Sequence, residues 1–449
     1  MYLRKNMDVG MYFLLLALIS FLPLPFGGNR PWAVNLIEVI IFLLAAYTIT
    51  LALLPKYLVT PITSTASIIL GLFSLTIFYQ LFQIVPLPSE FVALISPNKY
   101  SHMLDSAIIS EYMSISFGQM EGLFALIKNI AFIAVFYICY QLINTLNRLR
   151  VFLAVVVAVG LFQALYGIID MYAIQHGFLG REFNHSALSV SGSFINRNHF
   201  SAFIIFSLGA CLALYFLPHK TPKITMSPLL NYKNHLKVYS VIFLTALLYS
   251  QSRGAELAVV VSGVIGIGLY LYTRNQKWKK LFYLLVTFLP FIFFICFMGF
   301  EGWLDRFGLI DSHANQRFLI WETSLALYYD YWLTGVGSGN FQYLYPMYQS
   351  IDSEQFVDHA HNDYLELLVE QGVIGFVLLS IALAYSFREI FKRVISRRHK
   401  PTSRLRIILL ITLIAILLHS FVEFVFQIPV ISIYFFAFLS LAVREFEEC

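Results

Sequence analysis

Twelve stretches of this chain are long, apolar and almost free of charge, and they limit the possible folds more than any other feature. They lie near residues 11–26, 33–54, 66–86, 121–145, 150–174, 199–217, 237–251, 255–273, 281–300, 364–387, 405–422 and 425–443. A helix crosses the hydrocarbon core of a bilayer with about 20 such residues, because there every backbone N–H and C=O must be satisfied within the segment. Composition agrees: 59% of residues are hydrophobic, 12% are charged, and mean hydropathy is +0.74. No water-soluble globule of ordinary composition has these values. The expectation is an all-α polytopic membrane protein with about twelve transmembrane helices, forming one integral membrane domain over 1–449. Arg4 and Lys5 precede the first window as they would a signal peptide, but FGGNRPW follows it where a small-residue cleavage site would stand, so it is read as a helix.

An even number of spans puts both termini on one side, and the distribution of basic residues says which. With cytoplasmic termini, 22 of the 30 Lys and Arg residues fall in inner segments, most densely around RRHKPTSRLR. The other eight are Arg30, Lys99, Lys128, Arg181, Arg197, Arg253, Arg306 and Arg317. The net charge of +5 therefore reports orientation in the bilayer, and nothing points to nucleic acid as a partner. Cys139, Cys211 and Cys296 sit in apolar windows and Cys449 in the inner tail, which leaves no outer disulfide; the final EEC does not fit a prenylation signal.

Three outer segments are long: 87–120, 175–198 and 301–363. The last contains RFLIWETSLALYYDYWL, residues 317–333, whose aromatic residues and interspersed acids suit an interfacial helix better than a spanning one. The glycine-rich TGVGSGNF that follows lacks the GK[ST] and preceding strand of a phosphate cradle, and reads as a plain loop.

Polar side chains are concentrated at four places where they are expensive. SGSFINRNHFSAF places Asn196, Arg197, Asn198 and His199 at the mouth of the sixth window. YSQSRGAEL is a hairpin so tight that Arg253 must stand at the outer membrane edge. Arg317 lies beside the interfacial stretch, and DHAHNDYLELLVEQGVIGF, residues 358–376, opens on two histidines and continues as an apolar helix. A single arginine at such a position usually snorkels to the headgroups. Three of them and a histidine cluster, all on the side where basic residues are sparse, point instead to a shared cavity.

A helix beginning at Asn362 or Asp363 would put Asp363, Glu366 and Glu370 on one stripe, which must face protein, water or the outer arginines, with Asn362 as N-cap. The H-x-H spacing of His359 and His361 also admits a zinc site completed by Asp358 or His313, but no third ligand is set by spacing. A structural reading, in which a histidine caps carbonyls, is open for His359 and His199.

Taken together, FINRNHFSAF, SQSRGA, WETSLALYYDYWLTGVGSGNF and AHNDYLELLVEQGVIG resemble the O-antigen ligase and polymerase superfamily of bacterial envelope glycosyltransferases. His361 and Asn362, nine intervening residues, then Gly372 and Gly375 match that family's H-[NSQ]-x9-G-x-x-G pattern, and PLPFGGNRPW is similar to its first hairpin. The resemblance implies a multi-pass protein of the bacterial inner membrane with its active site on the periplasmic face. It implies a metal-independent, inverting transfer of a glycan from a polyprenyl (undecaprenyl) diphosphate carrier to an acceptor hydroxyl, with no cofactor. His361 would be the catalytic base. Arg197, Arg253, Arg317, Asn196 and Asn198 would bind the diphosphate and substrate, with His199, His359, Asn362, Asp363 and Glu366 in support. The partners implied are a lipid-linked oligo- or polysaccharide donor, a glycan, lipid or protein acceptor, and the bilayer. Ligase-type transfer to a lipid A-core or similar acceptor is the first reading; a polymerase and a protein O-oligosaccharyltransferase share its donor chemistry. A solute transporter would instead show repeated halves and ionisable groups at midplane, whereas here the polar clusters sit at one edge and Lys128 is the only basic residue well inside a window.

Overall fold

The structure, a computed structural model, describes residues 2–53, 62–106, 110–174, 189–217, 231–274, 310–349, 356–396 and 402–446. The ninth apolar window, 281–300, lies outside them, as do Arg181, Arg306 and the His313 side chain. In chain order the described helices are α1 (Tyr2–Phe21), α2 (Pro31–Leu53), α3 (Ser64–Ile84), α4 (Ser89–Ile95), α5 (Pro97–Asp105), α6 (Gln119–Leu142), α7 (Leu146–Ile169), α8 (Arg197–Phe216), α9 (Tyr232–Ser250), α10 (Arg253–Arg274), α11 (Ile310–Asp330), α12 (Phe341–Tyr348), α13 (Asp363–Ser396), α14 (Thr402–His419) and α15 (Pro429–Val443). Among the described residues the only strands are two-residue pieces, paired antiparallel with Leu87 opposite Met113. The protein is an all-α polytopic membrane protein. Eight helices, α2, α3, α6, α7, α8, α10, α13 and α14, are long and apolar enough to cross a membrane; α15 and the Asp8–Phe21 part of α1 are shorter apolar helices.

Every apolar window within the described residues is helical, since a helix satisfies its own backbone polar groups without water. Polar residues mark the starts: Thr63, Thr145, Asn196 and Asn231 each accept an N–H of the first turn of α3, α7, α8 and α9. The helices α8, α14 and α15 form the centre, and their spans are mostly buried. Their contacts use small side chains, as packing in lipid favours: Gly160 of α7 lies against Ser207 of α8, and Gly209 of α8 against Thr412 of α14.

A second, smaller core joins the outer segments. Ile320 and Leu327 of α11, Val336 of the glycine-rich loop, Phe341 and Leu344 of α12, and Ala360 and Val369 pack together. The opposite face of α11 exposes Phe318, Leu319, Leu325 and Tyr329, a composition suited to the membrane interface.

Residues 334–340 dock on α13 where that helix is broken. Gly372 there has φ 61 and ψ −172, a conformation essentially reserved for glycine. Val336 N–H donates to Val369 O at 3.0 Å and Gly337 N–H to Glu370 O at 2.8 Å, while Val373 N–H returns to Trp332 O at 2.8 Å. A β-carbon on Gly372 would collide with Leu333 O. The first glycine of the H-N-x9-G-x-x-G pattern thus lets the outer loop seat against the helix that carries the histidines. The N–H groups of Val336, Gly337 and Gly339 all go to acceptors on α13, which makes this stretch a docking element of the fold.

Candidate active site

Three helix N-termini meet at the turn between α14 and α15. Asn196 accepts the Asn198 N–H at 2.8 Å and starts α8. Gly254, at the start of α10, sits close enough to His419 and Val422 that a β-carbon would touch both. The Asp363 N–H donates to Ser420 O at 3.0 Å, which ties the start of α13 to the same turn. Asn362 accepts the N–H groups of Tyr364 and Leu365 at 3.0 and 3.1 Å and caps α13. Helix N-termini carry positive potential and favour anions.

The anion present is a residue that the sequence reading did not single out. Glu423 is 1% exposed. It takes His361 Nδ1 on Oε1 at 2.8 Å, Arg317 Nη2 on Oε2 at 3.2 Å, and the Asn198 side-chain amide also on Oε2. Burial pushes its pKa up, but the His361 hydrogen bond and the charges of His361, His199 and Arg317 outweigh burial and hold it down to about 2. Glu423 is therefore ionised at neutral pH and can only accept hydrogen bonds. The ring nitrogen facing it, Nδ1 of His361, therefore carries a hydrogen and directs it at the carboxylate. The His361 side chain is 28% exposed. Its backbone has φ 49, a left-handed conformation costing a non-glycine residue about 1–3 kcal/mol. The Asn362 cap and the Asp363–Ser420 bond over-determine it.

Two residues earlier the chain forms another histidine–carboxylate pair. His359 Nδ1 meets Glu366 Oε1 at 2.7 Å, and Glu366 Oε2 accepts the Ala360 N–H at 2.9 Å. Burial works against charge on His359, but Glu366, and then Asp358 and Glu370, raise its pKa to about 9. At neutral pH it is a cation with no lone pair to offer. Phe424 lies between the histidines, with His359 stacked on it at 4.4 Å and His361 and His199 edge-on at 4.9 and 4.8 Å. Trp321 of α11 donates to Ala360 O at 3.0 Å and holds the segment from outside.

The acidic stripe on α13 faces protein, and its carboxylates take backbone N–H groups. Asp363 Oδ2 takes Phe426 N–H at 3.1 Å, and Glu370 Oε1 takes Gly339 and Phe341 N–H at 2.8 and 3.3 Å. Among the described residues no arginine bridges to them. The arginines divide: Arg317 is joined to the His361 cluster through Glu423, Arg253 is exposed at the start of α10 beside the turn, and Arg197 is half-buried at the start of α8. His359 and His361 turn their Nδ1 atoms to different carboxylates, and among the described residues no group of three or more His, Cys, Asp or Glu is placed to hold a metal ion.

Glu423 was findable. It is a lone charge in an outer turn between two apolar windows, the feature that marked Arg253, but its pairing with His361 bridges 62 positions and has no local signature.

Residues 238–380 match the family model for O-antigen ligases. The match supports placing the chain in the O-antigen ligase superfamily, as the motifs indicated. It begins in α9 and ends within α13, so it contains Arg253, Arg317, His359 and His361, while Asn196–His199 precede it and Glu423 follows it. In general terms it supports a membrane glycosyltransferase of the O-antigen ligase or polymerase type. A search among curated proteins found no significant match.

Proposed function

We propose that the protein transfers a glycan from a polyprenyl diphosphate to an acceptor hydroxyl, without a metal and with inversion, at the periplasmic face of the inner membrane. The observation that carries this reading is the His361–Glu423 pair, in which a buried carboxylate holds Nδ1 of a partly exposed imidazole and so turns Nε2 away from itself. The acceptor O–H gives its proton to His361 Nε2 as its oxygen attacks the anomeric carbon. The anomeric C–O bond to the diphosphate breaks, and its electron pair leaves with the diphosphate. Attack opposite the leaving group inverts the centre. Glu423 orients His361 and stabilises the imidazolium that forms, a division of roles known from other base–carboxylate pairs.

The leaving diphosphate needs charge stabilisation, for which guanidinium forks on a low-dielectric site are suited. Arg253 is exposed at the site. Arg317 engages Glu423 through Nη2 at 3.2 Å and is 41% exposed, and Arg197 stands at the α8 N-terminus. Each charge-assisted bond is worth about 1.5–3 kcal/mol.

Protein reconstituted in liposomes with a labelled glycan on polyprenyl diphosphate, assayed for transfer to added acceptors with and without EDTA, tests the reading. Transfer with release of the carrier diphosphate, unaffected by EDTA, is expected. Loss of activity in EDTA with recovery on adding a divalent ion would overturn the metal-independent mechanism. Between ligase and polymerase we favour the ligase. Its deletion leaves polymer on the carrier and acceptors unmodified, whereas a polymerase deletion leaves acceptors bearing single repeat units.

A further inference from the structure

Lys128 lies ten residues into α6, roughly 13 Å along a helix of 1.5 Å rise per residue. That is near the middle of a spanning segment, and an ammonium there requires a purpose. Lys128 lines a cavity of about 200 Å³ bounded by α3, α6, α13, α14 and α15. One part of the wall is aromatic: Phe73, Phe132, Phe435 and Phe436. Another part is polar, with Lys128, Asn129, Gln80, Ser338, Asp363 and Glu370.

The polar wall is only half satisfied by the protein. Lys128 Nζ donates to Gln427 Oε1 at 3.2 Å, which leaves two of the three donors of an ammonium unused among the described residues. Ser338 is 4% exposed and its buried Oγ has no hydrogen-bond partner. Asp363 engages Phe426 N–H through Oδ2 alone, and Glu370 engages Gly339 and Phe341 N–H through Oε1 alone. Their other oxygens make no hydrogen bond among the described residues. Donors and acceptors are thus both left over in one chamber. A hydrocarbon would leave all of them unmet, at a desolvation penalty the chain has no reason to carry. An anionic head would meet Lys128 but also two carboxylates. A neutral group rich in hydroxyls, each both donor and acceptor, answers the whole set.

We propose that this cavity binds a neutral amphiphile with a hydroxyl-rich head, the head held by Lys128, Ser338, Asp363 and Glu370 and the hydrocarbon chain lying along the phenylalanine wall. Ser380 of α13 lines the cavity and is exposed, which marks a lateral way in from the bilayer. The site requires only the membrane fold, and stands whether or not His361 catalyses glycan transfer.

The experiment is native mass spectrometry of the full chain, from nanodiscs of phosphatidylcholine carrying monoglucosyl diacylglycerol, diacylglycerol or phosphatidic acid in trace amounts. Retention of the monoglucosyl lipid over phosphatidic acid is expected. Lys128→Met should weaken that retention about tenfold, the loss of one hydrogen bond to a charged donor. Ser380→Trp, on the exposed rim, should do so by obstruction, and it carries the test if Lys128→Met fails to insert. Preferential retention of phosphatidic acid, or unchanged retention in both variants, would overturn the proposal. Displacement of the lipid by free maltose would assign the chamber to a soluble sugar and overturn it as a lipid site.

Discussion

His359 and His361 are two residues apart, each bonds a nearly inaccessible glutamate through Nδ1, and both lie against Phe424, yet the pairs are built for different work. Glu366 is seven positions from His359 on the helix that follows, and it also accepts the Ala360 N–H, so this pair fastens a loop to its own helix. Glu423 reaches His361 from a different hairpin and is shared with Arg317 and Asn198. A local pair fastens; a pair assembled from four chain segments positions a side chain toward whatever enters between them. The charges differ accordingly. His359 is pushed up to about 9 and keeps its proton, while Glu423, held down to about 2, stays ionised and turns Nε2 of His361 away from itself.

The contrast is most severely tested by removing each imidazole. His361→Ala should lower turnover about 10²–10⁴-fold, the usual contribution of a general base. His359→Ala should lower it only a few-fold while destabilising the protein by about 1–3 kcal/mol, since Glu366 would keep a single hydrogen-bond donor. Turnover in liposomes and thermal unfolding measured on the same samples decide it; equal losses of turnover would erase the distinction. Next in size, Glu423→Gln should cost about 10–100-fold in kcat with little change in donor KM, the size of loss seen when a carboxylate that orients a metal-bound histidine is changed. Glu366→Gln should not share this signature.

Arg317→Lys should follow, at about tenfold in kcat/KM, because a point charge cannot serve a carboxylate and a diphosphate together as a guanidinium fork does. A full-rate lysine variant would confine Arg317 to a structural role. The smallest effect is on pH dependence. His359, raised above the 6.5 of a free imidazole, adds stability that is complete below pH 6.5 and lost as pH rises through about 9. Glu423, depressed from 4.5 to about 2, adds stability present above pH 4.5 and lost as pH falls through about 2. Unfolding temperatures should therefore decline between pH 6.5 and 9 in the native protein, and His359→Ala should flatten that decline while Glu423→Gln leaves it in place.

The spanning helices were legible in the sequence because an apolar run in lipid has one way to satisfy its backbone, and within the described residues each such run is a helix. The Asn362 cap and the start of α13 at Asp363 were equally local matters, decided by a side-chain oxygen within reach of the next N–H groups. The acidic stripe at 363, 366 and 370 could be deduced to face away from lipid, though its partners could not. Tertiary structure alone decided that backbone N–H groups of residues 339, 341, 360 and 426 would take those carboxylates, that Glu423 would be the partner of His361, and that Lys128 would line a half-satisfied chamber. The physical reason is separation along the chain. Periodicity and capping act over a turn or two of helix, whereas which buried charge meets which donor depends on how helices tens to hundreds of residues apart pack, and that packing leaves no local trace in the residues it joins.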